Sequence, residues 1–222
     1  LADLAQIERK LERARKEKGK EREIALFERL AHHLEAGKPL RTLDLPAEER
    51  NQLSGFAFLS LRPLLVVLNV SEDQVAAPAP AALVAKAKHA GADMLVLSAR
   101  VEAEVAELDA ADRPAFLRDL GLEAAARDRF VRASYALLDL ISFLTAGEHE
   151  CRAWPIRRGT TARKAAGRVH SDIERGFIRA EVIAYPDFIE HKSEARCREA
   201  GKLRLEGKDY TVQDGDIIHF RF

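Results

Sequence analysis

Two short stretches place hydrogen-bonding groups at the carboxyl ends of apolar runs, where open α/β sheets bind ligands. Asn69-Val70-Ser71-Glu72 follows the apolar run Leu64–Leu68, and Ser98-Ala99 follows a second run, Met94–Leu97. A carboxylate accepts N–H groups along one edge of a base, as guanine offers from N1 and its exocyclic amine. Adenine presents an N6 donor beside an N1 acceptor. A carboxylate cannot donate to N1, so main-chain groups around Val70 match adenine better than Glu72 does. Asn69 would brace the loop, and the Ser98-Ala99 backbone would close over the base.

A second group is cationic. Arg157, Arg158, Arg163, Lys164 and Arg168 form a run uninterrupted by acids, suited to phosphate contacts that weaken with salt and tolerate any sequence. Arg175, Arg179, Lys202, Arg204 and Lys208 add positive charge, partly offset by Glu174, Glu181 and Glu206. Trp154, Tyr185 and Tyr210 have rings that could stack on bases, although Phe177, Tyr185, Phe188 and Phe220 fall where a core would want them. The 7 histidines show neither a catalytic nor a metal-binding spacing, and Cys151 and Cys197 make no metal pair. No catalytic residue and no metal ligand is assigned.

The bulk numbers exclude little. In 222 residues, 47% are hydrophobic and 32% charged, the balance of an ordinary water-exposed protein. Formal charge is zero, so any nucleic-acid surface must come from local asymmetry rather than net excess. Two thiols suit a reducing cytoplasm, and no apolar run approaches membrane-spanning length, so no membrane partner is expected. The chain starts at Leu1 without an initiator Met, and reads as a piece of something longer.

The elements that must position these groups can be read in order. Leu4, Ile7, Leu11 and Ala14 keep a helical spacing, and Ile24, Phe27, Ala31 and Leu34 repeat it. An antiparallel helical hairpin turning near Gly19 is expected, with a charged, solvated tip. A short helix should open near Pro46. Leu64–Leu68 has the pattern of a strand buried on both faces, and with the Ala81–Ala90 helix and Met94–Leu97 it predicts a parallel βαβ unit. Helices follow to about Leu140, with Pro114 in a first turn and Phe130, Tyr135 and Leu138 on the last of them. From Ile141 short strands take over: Phe143–Ala146 and Cys151–Ile156 around a turn at Gly147-Glu148-His149, then Phe177–Tyr185. Between them lies a helix over Thr161–Val169, and another runs from Pro186 to Gly201. The tail reads as two hairpins, Lys202–Leu205 with Asp209–Gln213, then Asp216–Phe222. A small mixed sheet holding a helix is the β-grasp arrangement.

These stretches carry a resemblance. Ile156-Arg157-Arg158-Gly159-Thr160, His170–Val182, Gly201–Tyr210 and Gln213–Phe222 are similar to the TGS domain of the YchF (Obg-like) ATPases, a branch of the P-loop GTPase superfamily. Asn69–Glu72 stands where GTPases carry Asn-Lys-x-Asp, with Val70 for the Lys and Glu72 for the Asp. With Leu1–Leu4, the resemblance covers essentially the whole chain. It implies an α/β plus α+β fold: an incomplete P-loop G domain with an inserted antiparallel helical hairpin (a coiled-coil insertion), then a ubiquitin-like β-grasp TGS domain. The implied boundaries are 1–40 for the hairpin, 41–138 for the second half of the G domain and 139–222 for the TGS domain. Asn69, Val70, Glu72, Ser98 and Ala99 would hold the base of ATP, with GTP as the alternative. The ribosome or a structured RNA would be the partner, met by Arg157, Arg158, Arg163, Lys164 and Arg168, in the cytoplasm.

The sequence also departs from the family. No Gly-x-x-x-x-Gly-Lys-Ser/Thr occurs, and neither does the acidic-x-x-Gly switch motif. Phosphates need that glycine-rich nest, its lysine and a hydroxyl for Mg²⁺. Mg²⁺ is therefore expected only in a full-length parent, and this polypeptide is expected to hydrolyse neither ATP nor GTP alone. His191-Lys192-Ser193 stands where the family more often has small residues or glycine, so that loop is expected to differ. Two other readings stay open on sequence: a stand-alone RNA- or ribosome-binding adaptor with a vestigial base motif, and a protein-interaction module of coiled coil and ubiquitin-like fold.

Overall fold

The first two helices meet through the apolar stripes their sequences carry. In the computed structural model, which describes residues 1–147 and 150–222, α1 (Ala2–Ala14) buries Ile7, Leu11 and Ala14, and α2 (Glu21–Glu35) buries Leu26, Phe27, Leu30 and Ala31. Gly19 sits between them at φ +79°, a left-handed conformation that lets the chain reverse. Lys10–Glu23 and Arg15–Glu28, each at 2.8 Å, lace the flanks, but such exposed pairs stabilise little. The apolar seam extends into Leu40, Leu45, Leu53 and Phe58, with Phe56 stacked on Phe58 and edge-on to Phe27. α3 (Ala47–Gln52) opens after Pro46 and leads into short 3-10 turns at Ser54–Phe56 and Leu59–Leu61. Asp3, itself buried, accepts from the backbone N–H groups of Leu59 and Ser60 and so fastens this turn to α1.

β1 (Leu64–Asn69), α4 (Ala81–His89) and β2 (Ala92–Leu97) form the parallel βαβ unit, paired from Leu64–Ala92 to Asn69–Leu97. One expectation fails here. β1 is not buried on both faces: Leu64 is 39% and Val67 42% exposed. Among the described residues the sheet has just two strands, so the helices packed on it leave part of the apolar run open. α5 (Ala99–Glu107), α6 (Arg113–Asp119) and α7 (Ala126–Leu137) follow, around a small core of Val75, Val101, Val105, Leu117 and Leu122. Pro114 lies in the first turn of α6, while Leu138 falls just past α7. Leu1–Leu137 is one compact unit, and Leu138–Phe222 is a second.

The second unit is a five-stranded sheet in the order β4-β3-β7-β5-β6. Its elements are β3 (Leu140–Ala146), β4 (Cys151–Arg157), α8 (Ala162–Val169), α9 (Ser171–Arg175), β5 (Arg179–Ala184), α10 (Tyr185–His191), α11 (Glu194–Glu199), β6 (Arg204–Glu206) and β7 (Asp216–Arg221). β3 and β7 run parallel and the other neighbours antiparallel. Three small residues on α8, Ala162, Ala165 and Ala166, let that helix close against Ile141, Phe143, Val182, Ile218 and Phe220. The expected turn at Gly147-Glu148-His149 includes Glu148 and His149, which lie outside the described residues.

Three local expectations are corrected. Asp209–Gln213 is not a strand of the sheet, and β6 pairs with β5 instead of forming a hairpin with it. The backbone of that stretch is used otherwise: Tyr210 O accepts from Ala162 N at 2.8 Å, and Val212 N donates to Thr160 O at 3.1 Å, anchoring the start of α8. The helix expected from Pro186 to Gly201 is broken in two at Lys192, which adopts φ +65°, and Ser193 Oγ then caps α11 by accepting from Arg196 N. Left-handed backbone favours glycine, so Lys192 holds a conformation that glycine would suit. Tyr185 is 49% exposed and so is not a core residue. Among the described residues no helix is long and apolar enough to cross a membrane.

Candidate functional site

The end of β1 and the start of α5 are joined by their own backbone and side chains. Val70 N donates to Leu97 O at 2.9 Å, carrying the parallel ladder one residue past β1. Asn69 Oδ1 accepts from Ala99 N at 2.9 Å. Ser98, 1% exposed, caps α5 with Oγ accepting from Val101 N. Glu72 opens a 3-10 turn, Glu72–Gln74, and stays exposed. The result is a cleft of about 490 Å³ lined by Asn69, Val70, Ser71, Glu72, Asp73, Ser98, Arg100 and Leu120.

Four of the five residues assigned to the base from sequence line this cleft, and the fifth, Ala99, meets it through its N–H on Asn69. Ser71, Asp73, Arg100 and Leu120 line it without having been assigned from sequence, the first two as neighbours of Glu72 in the same loop. Arg100 directly follows Ser98-Ala99 and pairs with Glu104 at 3.2 Å across one helical turn. Leu120, at the end of α6, arrives only through the tertiary fold, and no local pattern marks it. Val70 and Leu120 give the cleft apolar surface, while Asn69, Ser71 and Glu72 give it hydrogen-bonding edges, a combination suited to a planar polar ligand. A larger hollow of about 740 Å³ between α5, α6 and α7 is lined by Val105, Leu117 and Leu122 and shares none of the motif's residues.

The cleft lies apart from any phosphate-binding motif. No glycine-rich loop with Lys-Ser/Thr occurs in the sequence. Among the described residues no cluster of His, Cys, Asp and Glu is arranged to hold a metal ion.

The cationic run divides in two. Arg157, Lys164 and Arg168 line one hollow of about 380 Å³ with Leu140, Pro155, Ile156 and Thr160. Lys164 and Arg168 are four apart on α8 and share a face, whereas Arg163 is turned away and its Nε donates to Glu174 O. Arg158 is turned away as well, its Nε 3.3 Å from Asp139 Oδ1. The aromatic candidates divide too. Trp154 Nε1 donates to Thr145 Oγ1 at 2.9 Å with Arg152 over its ring, and Tyr210 donates to Asp216 at 2.7 Å. Tyr185 is exposed.

Residues 140–222 match the family model YchF-GTPase_C, described as a protein of unknown function. A protein of Pasteurella multocida named ribosome-binding ATPase YchF is 45% identical over the whole of this chain. A Bacillus subtilis protein of the same name is 42% identical, again over the whole chain. This chain belongs to the YchF family. It spans 63% of the length of either relative. A solved structure of the Schizosaccharomyces pombe YchF GTPase superposes with a TM-score of 0.85 at 28% identity, over 99% of this chain and 62% of that one. The mixed α/β character is thus common to both YchF chains. A GTP binding protein of Pyrococcus horikoshii, at 20% identity and a TM-score of 0.51, shares the fold alone.

Proposed function

We propose that this chain is the base-reading and ribosome-facing part of a YchF-type nucleotide-binding protein that works in the cytoplasm. Residues 1–40 form its inserted hairpin, 41–138 the second half of its G domain and 139–222 its TGS domain. The observation that carries the reading is the cleft at the β1–α5 junction, where Asn69 holds Ala99 and where Val70 and Glu72 replace the Lys and Asp of a guanine site. Adenine nucleotides are the favoured ligand and GTP the alternative. With no Lys stem over the base and Glu72 unable to donate to adenine N1, recognition rests on main-chain groups near Val70. The relatives' printed names, ribosome-binding ATPase, support the same assignment.

The residues of this chain bind and orient the base. Mg²⁺ would neutralise charge on the phosphates in a full-length parent that carries the glycine-rich loop, and among the described residues no His, Cys, Asp or Glu cluster is arranged to hold it. The hollow lined by Arg157, Lys164 and Arg168 meets RNA phosphates on the ribosome.

Calorimetric titration with ATP and GTP tests the base assignment, in a chain that also carries a phosphate loop. ATP should bind at least as tightly as GTP, and Val70→Lys with Glu72→Asp should move preference toward GTP. A parent that already binds GTP much more tightly would refute the reading.

A further inference from the structure

The face of the second unit's sheet turned away from α8 carries a site independent of both the base cleft and the cationic hollow. Along β5, Ala180 and Val182 point into the core, so Glu181 between them points to the opposite face. At one end of that face Ile183, Ile217 and Cys197 are buried. The other end is an open cleft of about 460 Å³ lined by Arg179, Glu181, Arg198, Leu203, Leu205 and Arg221.

Glu181 is the floor, with a side chain 9% exposed. Arg221 grips it with both ends of its fork, Nε to Oε1 at 3.2 Å and Nη2 to Oε2 at 3.1 Å. That pair is satisfied. Arg179 and Arg198 stand farther off, at 3.8 Å and 3.7 Å from the same carboxylate. Neither guanidinium donates a hydrogen bond to a described residue, and their side chains are 52% and 65% exposed. Three guanidiniums around one carboxylate leave an excess of positive charge, with the donors of two forks unused. His219 lies on the same face of β7, and after Glu181 the further acid whose charge reaches Arg221 is Glu194 on α11.

We infer that this cleft docks an acidic, aliphatic segment of a partner protein. Its carboxylates would pair with Arg179 and Arg198, whose planar forks match a carboxylate in bidentate geometry. Its aliphatic side chains would lie on Leu203 and on Leu205, which is 63% exposed beside them. Charge complementarity selects an anion, and the leucine wall selects protein over nucleic acid. Among the described residues no aromatic ring lines the cleft to stack a base, and single-stranded nucleic acid is held by such rings together with phosphates.

The test uses the full chain and a fluorescent peptide of alternating glutamate and leucine, followed by anisotropy. Arg179→Gln with Arg198→Gln leaves the Glu181–Arg221 pair intact, which circular dichroism checks, and should weaken binding about tenfold. Leu205→Ser should weaken it several-fold. Charge reversal at Arg157, Lys164 and Arg168 should leave it unchanged, because those residues belong to another hollow. Equal affinity of the parent and the Arg179→Gln, Arg198→Gln variant would overturn the inference. So would displacement of the peptide by a short oligouridylate that binds this face more tightly, which would make the occupant a nucleic acid.

Discussion

Asn69 Oδ1 accepts the backbone N–H of Ala99 at 2.9 Å, tying the loop after β1 to the first residue of α5. The bond locks together two segments that each supply half of the candidate base cleft. Asn69→Ala should therefore lower stability by about 0.5–1 kcal/mol, the ordinary net value of such a bond at an exposed site. It should weaken adenine-nucleotide binding more than stability, because the cleft loses its shape before the fold is lost. Urea unfolding and nucleotide titration of a phosphate-loop-containing chain measure the two effects separately.

The sequence contains no Gly-x-x-x-x-Gly-Lys-Ser/Thr, the loop that holds nucleotide phosphates for hydrolysis in P-loop enzymes. Purified alone, this chain should release no phosphate from ATP or GTP above buffer. Turnover that co-purifies with the chain through several columns would show that the glycine-rich nest is dispensable here.

Asp216 is 2% exposed and holds three partners: Tyr210 OH at 2.7 Å, Gln213 N at 2.8 Å and Arg204 Nη2 at 3.2 Å. Asp216→Ala removes the shared acceptor of the half-buried Tyr210 hydroxyl, Gln213 N–H and Arg204, and should cost about 2 kcal/mol. Tyr210→Phe removes one bond and should cost about 1 kcal/mol. Chemical denaturation of both variants checks the order, and a larger loss for Tyr210→Phe would contradict it.

Two carboxylates make stability fall in acid. The hydrogen bonds from Arg221 hold Glu181 below the ordinary carboxylate range, against the opposing effect of burial. Burial pushes Asp3 up, but hydrogen bonds from Ser60 and Leu59 outweigh it and hold that carboxyl low as well. A folded pKa below the unfolded one gives stability that is complete above the unfolded value. That stability is lost as pH falls through the folded value, so the decline should begin below about pH 5. Glu181→Gln should flatten the acid limb for the second unit, and Asp3→Asn for the first. Unfolding free energy measured against pH would expose the error if either variant kept the parent's slope.

Ribosome binding should distinguish arginines that the sequence treats alike. Reversing Arg157, Lys164 and Arg168 to Glu should abolish most co-sedimentation with ribosomes and reduce the salt dependence by about 2 in log–log slope. Reversing Arg158 and Arg163, which face Asp139 and Glu174 O, should cost less. Equal effects from the two sets would mean that charge count, not placement, governs the contact.

Much of the base cleft was legible because it is local. Asn69–Glu72 and Ser98-Ala99 each lie directly after an apolar run, and the parallel pairing of those runs follows from the helix between them. Gly19 marks the expected turn of the helical hairpin in the sequence and takes positive φ in the structure. The apolar periodicity of α1 and α2 likewise needs only a few residues of context.

What the tertiary structure alone decided is pairing and direction over distance. β7 joins the sheet between β3 and β5, and no neighbouring residue records that it runs parallel to a strand more than seventy residues earlier. Asp209–Gln213 has strand-like residues but spends its backbone on the start of α8, because a hydrogen-bonding group satisfies the partner that the fold brings near. The exposure of Val67 and the approach of Leu120 to Val70 depend on which elements pack alongside. The sequence determined which side chains are cationic; the fold decided which are free, since a guanidinium's availability depends on where Asp139, Glu174 and Glu181 come to lie.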